Sequence, residues 1–174
     1  MDVLEGLSHI HGKGYVHRDI SPSNMLISAG DEIKLSDMGL SKSYELAGQS
    51  NITITGETAG KILYMAPEQI TNYRFVKPLA DIYSAGIVFY YLLTGKFPYD
   101  FPTPLDMLLD IIGKNKKKEP IVIILEDNPI PIRDRNNCIE RAIARIVDKA
   151  INKAPGNRYH SAKEMKQAIS NAVA

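Results

Sequence analysis

Cysteine is nearly missing from the 174 residues, with Cys138 standing alone. It has no internal disulfide partner and no companion cysteines for a zinc site. A reducing, cytoplasmic setting and a buried or chemically bland thiol are therefore expected. An excess of one charge is also missing: 21 Lys and Arg meet 20 Asp and Glu. That balance argues against a polyanionic partner, so nucleic acid is not expected. No apolar run is long enough to cross a bilayer. The longest, IYSAGIVFYYLL at 82–93, reads instead as a buried core helix, so no membrane segment is expected in the chain. The sequence as given opens on no secretory signal pattern and holds no internal repeat. What is present is a 44% apolar composition and enough length for one ordinary domain, spanning 1–174.

Helical spacing of Val3, Leu4, Leu7 and Ile10, stopped by Gly12 and Gly14, predicts an opening helix. Short β-like runs follow at YVH, NMLIS and EIKLS, and the AGDE between the last two suits a hairpin turn. From Asp37 to about Ile70 the chain is rich in Ser, Thr and Gly without a sustained period, which predicts a long functional loop. The segment LADIYSAGIVFYYLLTG is apolar nearly all round and ends at Gly95, predicting a helix enclosed on every side. Further helices are expected at 104–113, 139–152 and 161–172. KNKKKEP reads as a solvated loop.

Chemistry concentrates in HRDISPSNML, His17 to Leu26. Asp19, Asn24 and Asp37 are the residues that stand out: an amide oxygen and a carboxylate from paired strands can hold Mg²⁺, leaving Asp19 free as a base. Phosphoryl transfer needs that division of labour. An Asp-x-Gly such as DMG is by itself more often just a turn.

Order and spacing add weight. HRDISPSN, then DMG at 37–39, then APE at 66–68 resemble the catalytic loop, the metal-binding motif and the end of the activation segment of eukaryotic-like serine/threonine protein kinases, with NKAPGNRYHSAKEM similar to a stretch of the bacterial-type members. DIYSAG resembles the start of that family's buried central helix, with Tyr83 where tryptophan is usual. The resemblance runs over 1–174 and implies a mainly α fold with a small β-hairpin region, the C-terminal lobe of the kinase domain. Catalytic loop 17–24, activation segment 37–68 and a helical remainder 79–172 follow from it.

Carried over by position, the resemblance makes Asp19 the catalytic base and Asn24 and Asp37 the Mg²⁺ ligands. Leu26 becomes the floor under the adenine of ATP, with Val88 and Leu92 beneath it. Arg18 would clamp a phosphorylated activation segment, with Thr53, Thr55 or Thr58 as favoured acceptors. His17 and Met38 would pack in a hydrophobic spine. Glu68 would pair with Arg158, and Asp81 would cap the catalytic loop from below. Two departures matter. Ser21 stands where the family has a lysine on the transferring phosphate, and Lys61 stands where it has a threonine near the catalytic aspartate. A swap is one reading, with Lys61 supplying the charge that Ser21 does not. An exposed Lys61 beside a weakened site is the other.

The glycine-rich loop over ATP and its partner lysine belong to an N-terminal kinase lobe, and too few residues precede His17 to hold it. The chain therefore reads as a truncated lobe, inactive alone, whose partners are that missing lobe and a protein substrate. SPSN favours serine or threonine acceptors over tyrosine. The alternatives are a pseudokinase-like binding module and a small-molecule phosphotransferase of the aminoglycoside type. The latter does not predict the long segment ending in MAPE.

Overall fold

The computed structural model describes residues 1–37, 42–43, 60–72, 76–103, 105–106 and 118–174. It is mainly helical, with two small antiparallel pairings of short strands. Helix α1, Asp2–Gly12, starts with Asp2 and Glu5 in its first turn and ends at Lys13, ahead of Gly14 at φ 79°. Acid at the start suits the helix dipole. Strand β1, Tyr15–Val16, leads into residues 17–24 and pairs with β4, Lys42–Ser43. Between them β2, Met25–Ile27, and β3, Ile33–Leu35, form the expected hairpin, with Met25 opposite Leu35 and Ile27 opposite Ile33.

The span from Asp37 to Ile70 is not loop throughout. A 3₁₀ turn covers Lys61–Tyr64, and helix α2 covers Pro67–Thr71. Pro67 at the first helical position needs no N–H partner. The Gln69 side chain accepts a hydrogen bond from the Ala66 N–H at 3.0 Å, half of a capping box. Too few residues are involved for a periodicity to show.

Helix α3, Pro78–Thr94, is the axis of the molecule, with Ala80 to Val88 and Tyr90 buried. Gly95 closes it at φ 68°, where its N–H bonds Tyr91 O at 2.8 Å. The helix is not enclosed on every side: Leu92 is 68% exposed and Tyr91 and Leu93 are exposed too. A nearly uniform apolar sequence carries no signal for which turn leaves the core. Gly86 is where α3 meets the chain at Ala150, since a Cβ there would lie 2.9 Å from Ala150 Cβ.

Helices α4, Pro120–Glu126, and α5, Ile132–Arg135, were not expected. The β-branched run IVII hides α4, but Pro120 starts it and Ile123 and Ile124 anchor it against Ile62, Met65 and Tyr99. Helix α6, Arg141–Ala150, and α7, Ala162–Val173, match the 139–152 and 161–172 expectations within two residues. Ser161 caps α7 through Glu164 N at 3.1 Å. Of the helix expected at 104–113, only 105–106 lie among the described residues. Lys118, in the expected solvated stretch, pairs with Glu126 and Asp127. Cys138 is exposed rather than buried.

Two core clusters meet on α3. One joins it to α1 and α7 through Leu4, Leu7, Val88 and Met165; the other joins it to α5 and α6 through Tyr83, Ile87, Ile132 and Val147. The segment from His17 to Asn24 is thereby mounted on the most buried element. Among the described residues no helix is long and apolar enough to cross a membrane.

Candidate active site

Residues 17–19 follow the buried Val16 and are themselves buried, yet belong to no regular element, so their polar backbone groups need side-chain partners. Asp81, 1% exposed on α3, supplies two: its Oδ2 accepts the His17 N–H and its Oδ1 the Arg18 N–H, both at 2.8 Å. His11 Nε2 also meets Asp81 Oδ2 at 2.8 Å, tying α1 to the same carboxylate. His17 is fully buried; its Nε2 donates to Ser36 O at 3.1 Å and its Nδ1 accepts the Asp19 N–H at 3.4 Å. Arg18 takes φ 71°, unusual for a residue with a side chain, and that bend turns the chain toward the site.

Asp19 is 7% exposed. The Asn24 amide nitrogen donates to Asp19 O at 2.7 Å and to Asp19 Oδ2 at 2.9 Å. Asn24 holds this position because the Pro22–Asn24 3₁₀ turn folds it back and its own carbonyl accepts the Ser36 N–H at 2.9 Å. Lys61 Nζ forms an ion pair with Asp19 Oδ2. The lysine reaches it from the 3₁₀ turn of residues 61–64, more than forty positions away in sequence. Ser21 is buried, and its hydroxyl meets Ser23 Oγ at 2.9 Å rather than any of these groups.

Asp37 follows directly on Ser36, which is bonded to the Asn24 carbonyl, and its backbone is left-handed at φ 59°. Asn24 and Asp37 carry side-chain oxygens, hard donors of the kind Mg²⁺ takes. Among the described residues no group of three or more His, Cys, Asp or Glu forms an all-protein metal cage. Two oxygen donors suit an ion whose remaining positions are filled by phosphate and water. Leu26 and Ile27, on the hairpin, are 58% and 73% exposed. Val88, placed beneath Leu26 by the resemblance, is buried in the core, whereas Leu92 is largely exposed. Met38, Thr53, Thr55 and Thr58 lie outside the described residues.

Below the loop, Arg158 and Glu68 form a two-pronged pair at 2.6 and 2.9 Å. The remaining guanidinium hydrogens go to the carbonyls of Asn152, Leu79 and Lys153, so all five donors are used. The Tyr83 ring lies 4.8 Å beneath the guanidinium carbon, and its hydroxyl meets that of Tyr99 at 3.0 Å. Burial, and then the neighbouring Tyr99, push the Tyr83 phenol well above its ordinary value.

Gln69 is the residue that sequence reasoning missed. It is 1% exposed and its Nε2 donates to Arg18 O at 2.9 Å. The signal available was a glutamine two positions after a proline that starts a helix, the acceptor half of a capping box.

The family model described as "Protein kinase domain" matches residues 1–169. A probable serine/threonine-protein kinase of Clostridium acetobutylicum is 35% identical over 97% of the chain. The serine/threonine-protein kinase PknB of Mycobacterium tuberculosis is 31% identical over 95% of it. A Corynebacterium efficiens serine/threonine-protein kinase is 30% identical over 98%. The chain spans 23%, 24% and 30% of those three proteins, respectively.

Proposed function

Because the chain belongs to the protein kinase domain family, we propose that it is the C-terminal lobe of a serine/threonine protein kinase and carries the groups that act on the substrate hydroxyl. In this reading Asp19 accepts the hydroxyl proton as that oxygen bonds to the γ-phosphorus of ATP and the bond to ADP breaks. Asn24 and Asp37 would hold Mg²⁺, which would supply neutralisation of phosphate charge. Leu26 offers the floor for the adenine. Lys61 stands in for the cation absent at Ser21.

The observation that carries the proposal is the Asp19 carboxylate, held by Asn24 Nδ2 and Lys61 Nζ on a loop that Asp81 fixes through two backbone amides. Lys61 reaching Asp19 favours the swap over an uninvolved surface lysine. A cation beside the base can neutralise a transferring phosphoryl group without leaving the site.

The roof over ATP and the lysine that grips its phosphates belong to a small lobe. The exposed Leu26 and Ile27 offer an apolar surface for it. The 174 residues alone are expected to transfer phosphate poorly. Fusion behind the small lobe of the Clostridium acetobutylicum relative should give Mg²⁺-dependent ATP turnover on a serine or threonine peptide. Turnover that survives Asp19→Asn would overturn the assignment of the base. A fusion that binds ATP and never turns over would leave the non-catalytic binding module in its place.

A further inference from the structure

We infer that Gln69 is a positioning residue for Asp19, acting through the peptide group that joins Arg18 to Asp19; this rests on the reading of Asp19 as the base. The carbonyl of that peptide accepts Gln69 Nε2–H at 2.9 Å, while its N–H is directed at His17 Nδ1 at 3.4 Å. Of the two holds the glutamine contact is the shorter and better formed. The peptide plane it fixes sets the direction of the Asp19 Cα–Cβ bond, and therefore of the carboxylate. Arg18, at φ 71°, keeps a backbone conformation that its surroundings must impose. A buried amide pulling on the Arg18 carbonyl is one of the groups that impose it.

Gln69 does not act from a loose surface. Its Oε1 accepts Ala66 N–H at 3.0 Å and the Ser84 hydroxyl at 3.5 Å, so one side chain joins α2, α3 and the catalytic loop. The stretch from Lys61 to Gln69 consequently touches Asp19 twice. Lys61 Nζ meets the carboxylate, and Gln69 meets the preceding peptide. A shift of α2 would reach the base through hydrogen bonds rather than through packing alone.

The test uses the small-lobe fusion described above. Gln69→Met keeps the volume and removes both polar groups. It is expected to lower kcat by about tenfold to a hundredfold, because small misplacements of a reacting group are costly. The KM for ATP should stay within about twofold, since nucleotide binding is not what Gln69 holds. Gln69→Glu separates positioning from plain stability. In that variant the new carboxyl donates to the Arg18 carbonyl when protonated and repels it when ionised. The ratio of Q69E to parent activity should therefore rise as pH falls from about 8 to about 6, while the Q69M ratio stays flat. An unchanged kcat in Q69M, or a Q69E ratio independent of pH, overturns the inference. If the parent fusion transfers no phosphate, the kinase reading has failed, and amide exchange then decides the coupling. Faster exchange at the Asp19 amide in Q69M, with α3 still protected, retains it, and unchanged exchange overturns it.

Discussion

Lys61 Nζ and Asp19 Oδ2 form an ion pair on the same carboxylate oxygen that accepts Asn24 Nδ2–H at 2.9 Å. One oxygen thus takes two donors, and in the proposed reading the other is the one that meets the substrate hydroxyl. If Lys61 supplies the charge that Ser21 does not, Lys61→Met in the small-lobe fusion should lower kcat by about a hundredfold, the scale of losing one transition-state donor. Adding Ser21→Lys to that variant should recover most of the loss. Steady-state kinetics on both variants checks this, and unchanged turnover in K61M sinks the swap.

Asp81 makes a separate prediction, since its two oxygens hold the amides of His17 and Arg18 at 2.8 Å while it is 1% exposed. Asp81→Asn keeps one acceptor oxygen but turns an NH₂ group toward a donor. The segment of residues 17–19 should lose its anchor at that amide, at about 1–3 kcal/mol for a buried donor left unmade. Hydrogen exchange should rise at His17 or Arg18 well before it rises along α3. Equal protection in both proteins would show that the carboxylate is not what holds the loop.

The Glu68–Arg158 pair joins α2 to the turn before α7, and the arginine side chain is fully buried. Glu68→Ala leaves that guanidinium buried without its counter-charge, a change that costs about 3 kcal/mol and about 9 °C in melting temperature for a chain of this size. Arg158→Lys should not rescue a comparable loss, because an ammonium cannot reach Glu68 and three carbonyls from one place. Calorimetry on the two variants decides it, and an E68A protein as stable as the parent would remove the pair from the account of stability.

Much of this was legible in the sequence because it depends on local pattern. Period and glycine stops mark α1, the turn residues mark the β2–β3 hairpin, and HRDISPSN places Asp19 beside Asn24. The pairings of Asp81 with the catalytic loop and of Glu68 with Arg158 were legible only through the family resemblance, since nothing local links residues so far apart. Helices α2, α4 and α5 escaped for a physical reason. They have five, seven and four residues, too few for a 3.6-residue period, and tertiary burial rather than propensity holds them. Gln69 escaped because a buried amide is recognised by where its partners lie, and Arg18 O is fifty-one positions away. The exposure of Cys138 and Leu92 is likewise set by neighbours, which composition does not report.

Gly86 sits at a close approach of α3 to the end of α6, since a Cβ there would lie 2.9 Å from both Ala150 Cβ and Ile151 Cγ2. Alanine favours a helix over glycine by about 1 kcal/mol, so on propensity alone Gly86→Ala would stabilise. Overpacking works against that gain and costs about 1–3 kcal/mol in a close-packed core. The neighbours are a methyl group and a branched side chain in the interior, so the clash should win. A lowered melting temperature in G86A, partly recovered by Ala150→Gly, would establish the close approach, whereas a raised one would show that the helices move apart freely.

Asp148 offers a pH-dependent prediction on α6. Burial raises its carboxyl above the ordinary value, opposed by the Ile132 N–H that bonds Oδ1 at 2.9 Å and reinforced by the nearby charge of Asp134. A carboxyl raised in the folded state holds its proton more tightly there than in the unfolded chain. Its contribution to stability is therefore full below the unfolded value and is lost as pH rises through the folded one. Near neutral pH the ionised group is a liability that a neutral isostere would not carry. Asp148→Asn keeps an oxygen for the Ile132 N–H, so it should melt higher than the parent near neutral pH, and the gap should close as pH falls into the carboxylate range. Thermal melts of both proteins across that range check the sign. A parent that is the more stable protein at neutral pH would mean that the charge on Asp148 strengthens its bond to Ile132 by more than burial costs it.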